Sequence, residues 1–99
     1  MITISSKLTF HIEHASSLKD KRMVARSLID KTRHKFNAAV AEVDTQEAHK
    51  TLTIGVAVIS GENAHARDMM DEIIYFMENN TDADLVMVEE VIDSAEDFD

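Results

Sequence analysis

Lys19, Arg22, Arg26 and Arg33 follow one another at spacings of three, four and seven residues. On a helix those spacings make them neighbours along one lateral stripe. Each guanidinium offers a planar fork of donors that matches phosphate or carboxylate. The chemistry of such a row is anion recognition rather than bond-making, and its reading is a contact surface for the phosphate backbone of RNA. The stripe belongs to Ser17–Phe36, SLKDKRMVARSLIDKTRHKF, which holds seven of the ten Lys+Arg residues against two acids, Asp20 and Asp30. The other residues carry three bases against seventeen acids, and the chain as a whole is at −9. A net charge of that sign opposes non-specific nucleic-acid binding at long range. At physiological salt the repulsion decays over about 8 Å, so a local basic face still acts. The same stripe also suits an acidic protein partner. It suits equally a solvated face partly neutralised by the acids of a second helix, Glu62, Asp68, Asp71, Glu72 and Glu78.

Other reactive residue types form no constellation. His11-Ile12-Glu13-His14 puts His11 and Glu13 on one face of a strand and His14 on the other, so no chelate forms, and the five histidines show no ligand spacing. The absence of cysteine excludes disulfides, zinc–thiolate sites and thiol catalysis. Gly55 and Gly61 are isolated, so no glycine-rich phosphate loop exists. Ser16 and Ser17 are read as helix caps rather than nucleophiles, His65 as a packing or capping residue, and Met69, Met70 and Met77 as core. The expectation is a protein that is not an enzyme and holds no cofactor or metal.

The stripe needs a scaffold. Residues 2–12 alternate strictly, with Ile2, Ile4, Leu8, Phe10 and Ile12 on one face and Ser6 the one polar residue among them, which predicts a half-buried strand. From Leu18 the period becomes 3.6: Leu18, Ala25, Leu28, Ile29, Thr32 and Phe36 share one side, with Lys21 at its edge. Either Ser16 or Ser17 can cap the helix, and with Ser17 as the cap Asp20 falls in the first turn; Asn37 is the expected left-handed stop. Residues 38–44 and 51–60 read as strands around a polar hairpin loop at 45–50. A second helix runs to about Asn79 on Ala66, Met69, Met70, Ile73, Phe76 and Met77, and residues 85–92 read as a fourth strand. The order β-α-β-β-α-β predicts an α+β, ferredoxin-like sandwich, with both helices on one face of a four-stranded antiparallel sheet and the first and third strands central. Residues 1–93 would form this single domain and 94–99 an acidic tail. The outward residues Thr3, Ser5, Thr9, Thr53, Gly55 and Ala57 include no aromatic on which a base could stack. Such small residues suit packing against another sheet. MITISSKLTF lacks the pattern of a signal peptide, and no apolar run approaches a membrane span, so a cytoplasmic protein is expected.

Ser17-Leu18-Lys19 with Lys21-Arg22, then Phe36-Asn37, Ala41-Glu42-Val43 and Ala64-His65-Ala66, resembles the YlxP-like family of small bacterial proteins over about residues 2–92. The resemblance implies a ferredoxin-like fold and no established activity. Family genes often lie among those for translation initiation and ribosome maturation, which implies a link to ribosomes or RNA. The functional expectation is therefore a non-enzymatic accessory protein that meets RNA or a ribosome-associated partner through Lys19, Arg22, Arg26 and Arg33. The alternative is a structural or regulatory homo-oligomer that packs through its outer sheet face and binds a protein or small ligand at the seam.

Overall fold

Strict alternation over the first dozen residues produces β1 (Ile2–His11) in the computed structural model, which describes residues 1–95. It is followed by α1 (Leu18–Lys35), β2 (Ala39–Glu42), β3 (Thr51–Ser60), α2 (Asn63–Glu78) and β4 (Asp84–Ser94). The sheet order is β2-β3-β1-β4 with every neighbouring pair antiparallel, so the first and third strands are central as their apolar patterns predict. This is the ferredoxin-like α+β architecture. Ile4, Leu8 and Phe10 of β1 and Leu52, Ile54, Val56 and Val58 of β3 form the sheet side of the core. Leu28 of α1 and Met70, Ile73 and Met77 of α2 close it from above. Ser6, the polar exception on that face, is buried and donates to Glu90 at 3.1 Å.

The start of α1 follows the sequence closely. Ser17 Oγ accepts from the Asp20 N–H at 3.1 Å. In return the Asp20 carboxylate accepts from the Ser16 hydroxyl at 2.7 Å and the Ser16 N–H at 3.1 Å. These bonds to Ser16 hold the Asp20 carboxyl below the usual carboxylate range. The other end differs from expectation. The helix stops at Phe36 in an extended conformation (φ −123°), and among the described residues the single non-glycine residue with positive φ is Asp44 (62°), not Asn37. The exit is fixed by side chains instead. Phe36 meets Phe76 of α2 edge-on at 5.4 Å, and Arg33 Nε donates to Val40 O at 3.1 Å, which draws the chain straight into β2.

Two strand boundaries also differ. β2 is only four residues long, because positive φ at Asp44 turns the chain out of the ladder. β4 continues past Ile92, because β1 still offers partners: Thr3 faces Asp93, Ile2 faces Ser94, and Ala95 N–H reaches Met1 O at 2.9 Å. Asp93 and Ser94 are thus sheet, and the remaining part of the expected tail, residues 96–99, lies outside the described residues. α1 packs over β2, while α2 lies over β3 and β1. Neither helix covers β4, whose Val86, Val91 and Ile92 are more than half exposed.

Leu28→Ala is expected to cost about 2–5 kcal/mol by chemical denaturation, since Leu28 is only 1% exposed. Met23→Ala, on the solvent side of the same helix, should stay within about 0.5 kcal/mol. A depressed carboxyl stabilises the fold above its unfolded value and loses that contribution as the pH falls through its folded value. Acidification below the usual carboxylate range should therefore speed amide exchange in the first turn of α1, and Asp20→Asn should flatten that response.

Candidate functional site

The rotation of α1 about its own axis decides where its charges point, and a buried lysine shares in setting that rotation with Ala25, Leu28, Ile29 and Thr32. Lys21, which the pattern places at the edge of the apolar side, is inside it at 1% exposure. Its ammonium stands 3.1 Å from Glu42 Oε2 of β2 and donates to Thr45 O in the turn beyond. The contact with Glu42 is a charge pairing rather than an aligned hydrogen bond, and Oε2 is otherwise buried without a partner. With Lys21 anchored to β2, residues one step around the helix face the β2 edge. Arg22, Arg26 and Arg33 accordingly line one groove of about 340 Å³ with Ala25, Ile29 and Asp30 of α1 and Ala41 and Glu42 of β2. Helical rise puts Arg22 and Arg26 about 6 Å apart along the axis and Arg26 and Arg33 about 10 Å apart.

The four predicted residues are not equivalent. Arg22 and Arg26 are exposed and enter no ion pair among the described residues. Arg33 is held by its bond to Val40 O, so its guanidinium is fixed against the strand, and no carboxylate of the described residues pairs with it. Lys19 is exposed at the start of the helix, outside the residues that line the groove. The acids of α2 do not neutralise this row. α2 lies on the other side of α1, and its Asp71 pairs with its own Arg67 at 2.8 Å. The remaining bases of the stretch face elsewhere. Lys35 lies over the Phe76 and Phe36 rings at 5.4 and 5.8 Å, and Lys31 points to a cleft on the α2 side.

That cleft, about 610 Å³, is larger than the arginine groove and has no precedent in the sequence pattern, because residues 12–15 and 79–83 that form its end are remote in the chain. Its rim mixes charges: Lys31 and His14 face Glu13, Asp20 and Asp82. Two of these carboxylates already have partners. Asp20 caps α1, and Glu13 takes His11 Nε2 at 3.0 Å, a contact that lowers its carboxyl below the usual range. The cleft therefore offers no set of convergent free groups. Among the described residues no three His, Asp or Glu side chains gather as metal ligands. Among the described residues one serine–histidine contact exists, Ser60 Oγ with His65 Nδ1 at 2.9 Å. Ser60 Oγ also accepts from the Glu62 N–H, so the pair braces the turn that leads into α2.

The outer sheet face is less flat than its small residues predict. Val43 folds over it, 3.3 Å from where a Cβ on Gly55 would stand, so a side chain at Gly55 would push Val43 away. Thr45 donates to Thr53 at 3.0 Å and buries it. Lys7 then bridges Asp44 at 2.8 Å and Glu89 at 3.6 Å across the middle of the face.

Residues 3–94 match a family model described as "Protein of unknown function (DUF503)". This chain belongs to that family. The matched span runs from the start of β1 to the last residue of β4, so the arginine groove and both sheet edges lie within the DUF503 domain. The chain is similar to the uncharacterized protein YlxP of Bacillus subtilis (strain 168), with 25% identity over 68 residues that cover 69% of this chain and 74% of that one. The YlxP-like resemblance carried by the SLKDKR segment is thus established at the level of family. Among the described residues of this DUF503 chain no helix is long and apolar enough to cross a membrane.

Removing one partner of the buried pair should be the more damaging change. Glu42→Gln leaves the Lys21 ammonium uncompensated and is expected to cost about 3–5 kcal/mol. In Lys21→Met/Glu42→Gln the loss should fall clearly short of the sum of the single losses, a coupling that urea unfolding of the four proteins reads directly.

Proposed function

We propose that this DUF503 protein is a non-enzymatic accessory protein that contacts RNA, as free RNA or within a ribosomal particle, along the α1 flank. Arg22, Arg26 and Arg33 meet successive phosphates and Lys19 adds an outlying contact. The observation that supports this is the set of guanidinium groups on the β2 side of α1 without a carboxylate partner among the described residues. Arg33, braced by Val40 O, loses little freedom on binding, and Arg22 and Arg26 carry the adaptable contacts. Bases are not read on the outer sheet face, where Lys7 and its two carboxylates occupy the centre. Specificity on this reading comes from the shape of the RNA backbone rather than from stacking.

The second reading is a homo-oligomer packed through that outer face, with a protein or small ligand held at the seam. Exposed Ile59 and Val91 favour it, and the Lys7–Asp44–Glu89 bridge between them and the far end of the face opposes it. A dimer whose mass does not change with salt would support sheet packing, whereas a monomer that shifts with RNA supports the basic flank.

Single-stranded RNA contributes a slope of about −0.7 in log affinity against log salt for each phosphate neutralised. Three arginines give about −2, and about −3 if Lys19 takes part. Fluorescence anisotropy on a labelled oligonucleotide should return a slope in that range. Lys19→Ala should remove less affinity than Arg22→Ala or Arg26→Ala. Undiminished binding by the variant with all four residues changed to Ala would rule the groove out.

A further inference from the structure

From Val86 onward the edge strand β4 is largely uncovered on both faces; Leu85 packs against the core and Glu90 meets Arg67 of α2. Val86, Met87, Val88, Val91 and Ile92 are each between 39% and 66% exposed. The register with β1 sorts them: Val88, opposite Leu8, and Ile92, opposite Ile4, lie on the helix side, while Met87, opposite Thr9, and Val91, opposite Ser5, lie on the outer side. The strand is eleven residues long, and β1 pairs with only one of its edges. An exposed apolar edge of this length is a template for a further strand. Charge says which kind. β4 carries Asp84, Glu89, Glu90 and Asp93 and no base. Glu89 lies near Lys7, and Glu90 is held by Arg67 of α2 at 2.8 Å. Asp84 and Asp93, both on the outer side of β4, have no basic partner among the described residues.

We propose that β4 is a docking edge for an extended segment of another protein in which apolar residues alternate with lysine or arginine. The backbone of such a segment completes the ladder on the free side of β4. Its apolar side chains on one face cover Val88 and Ile92 on the helix side, and its bases on the other face meet Asp84 and Asp93, which lie opposite His11 and Thr3 on the outer side. A second copy of this chain fits less well. In an antiparallel pairing about a two-fold axis, the residue on the axis faces itself and its neighbours face each other in reverse order. An axis through Glu89, Glu90 or Asp93 sets a carboxylate against its own copy. An axis through Met87 opposes Asp84 to Glu90, and one through Val91 opposes Glu89 to Asp93. An axis through Val88 runs the ladder across the bulge at Val86, where β4 has one residue more than β1. An axis through Ile92 avoids both faults but leaves Val86, Met87 and Val88 bare. The site is at the opposite edge of the sheet from the arginine groove and does not depend on its role.

Nuclear magnetic resonance titration of the full chain tests this with three synthetic peptides of about ten residues, the length of a long strand. One alternates valine and lysine, one alternates valine and glutamate, and one has the composition of the first in two blocks. The alternating basic peptide should shift the amides of residues 84–94 and slow their exchange, and should bind about tenfold or more tightly than the other two. The variant Asp84→Asn/Asp93→Asn should weaken it several-fold, and Arg22→Ala/Arg26→Ala should leave it unchanged. Equal binding by the block peptide, or shifts confined to other elements, would overturn the proposal. So would a free protein that is already dimeric with its β4 amides protected, since a second copy would then hold the edge.

Discussion

A lysine at 1% exposure is the constraint on which the placement of everything else turns. An ammonium withdrawn from water needs both a counter-charge and hydrogen-bond acceptors, and Lys21 finds them in Glu42 and Thr45, at the end of β2 and in the turn after it. Such a pair adds little net stability, because desolvation offsets most of the attraction. Its effect is on orientation. If α1 rolled by one residue, about 100° of helix rotation, Lys21 would leave its acceptors and a different face would meet the sheet. The pairing therefore selects one rotation of α1, and that rotation turns Arg22, Arg26 and Arg33 toward the β2 edge and Lys31 and Lys35 toward α2.

The same contact shifts the helical layer sideways. α1 is held over β2, the short edge strand, and α2 is coupled to α1 through the Phe36–Phe76 pair with Lys35 above both rings. Two helices so anchored cover β2, β3 and β1. The fourth strand receives no helix, and its helix-side residues Val88 and Ile92 stay open to solvent even though their partners across the ladder, Leu8 and Ile4, are among the most buried side chains of the chain. Basic groove and bare edge are consequences of one asymmetry: the layer that closes the core is drawn to one side of the sheet.

The fold was legible wherever periodicity decided it. Alternation in β1 and β3 and the 3.6 period in both helices located the core residues, because burying one face is what makes these elements form at all. A serine cap was legible for the same local reason, but the choice of Ser17 over Ser16 was not. What the pattern missed required partners remote in the chain. Lys21 looks like an edge residue until Glu42, twenty-one positions away, supplies a buried counter-charge. The helix end at Phe36 depends on Phe76 and Val40, and the extra length of β4 depends on the free end of β1. The groove was legible in its arginines but not in its other wall. Nor could spacing alone show that Lys19 stands outside it or that α2 lies on the far side. The end cleft left no sequence signal, since its two sides are brought together only by the topology.

Segregation by distance is what lets an acidic chain keep a basic surface distinct. Strands lie about 4.8 Å apart, so the three intervals from β2 to β4 place the two edges roughly 14 Å apart. That exceeds the screening length of about 8 Å at physiological salt, and the carboxylates of β4 and of the far side of α2 therefore contribute little at the groove. At an ionic strength of about 0.01 M the screening length grows to about 30 Å and spans the molecule. The acidic edge would then oppose any anion approaching the groove, just where the local contacts would be at their strongest. The two edges act as separate surfaces only when salt isolates them. A chain at −9 can thus expose a cationic flank and an anionic, apolar edge without either charge cancelling the other.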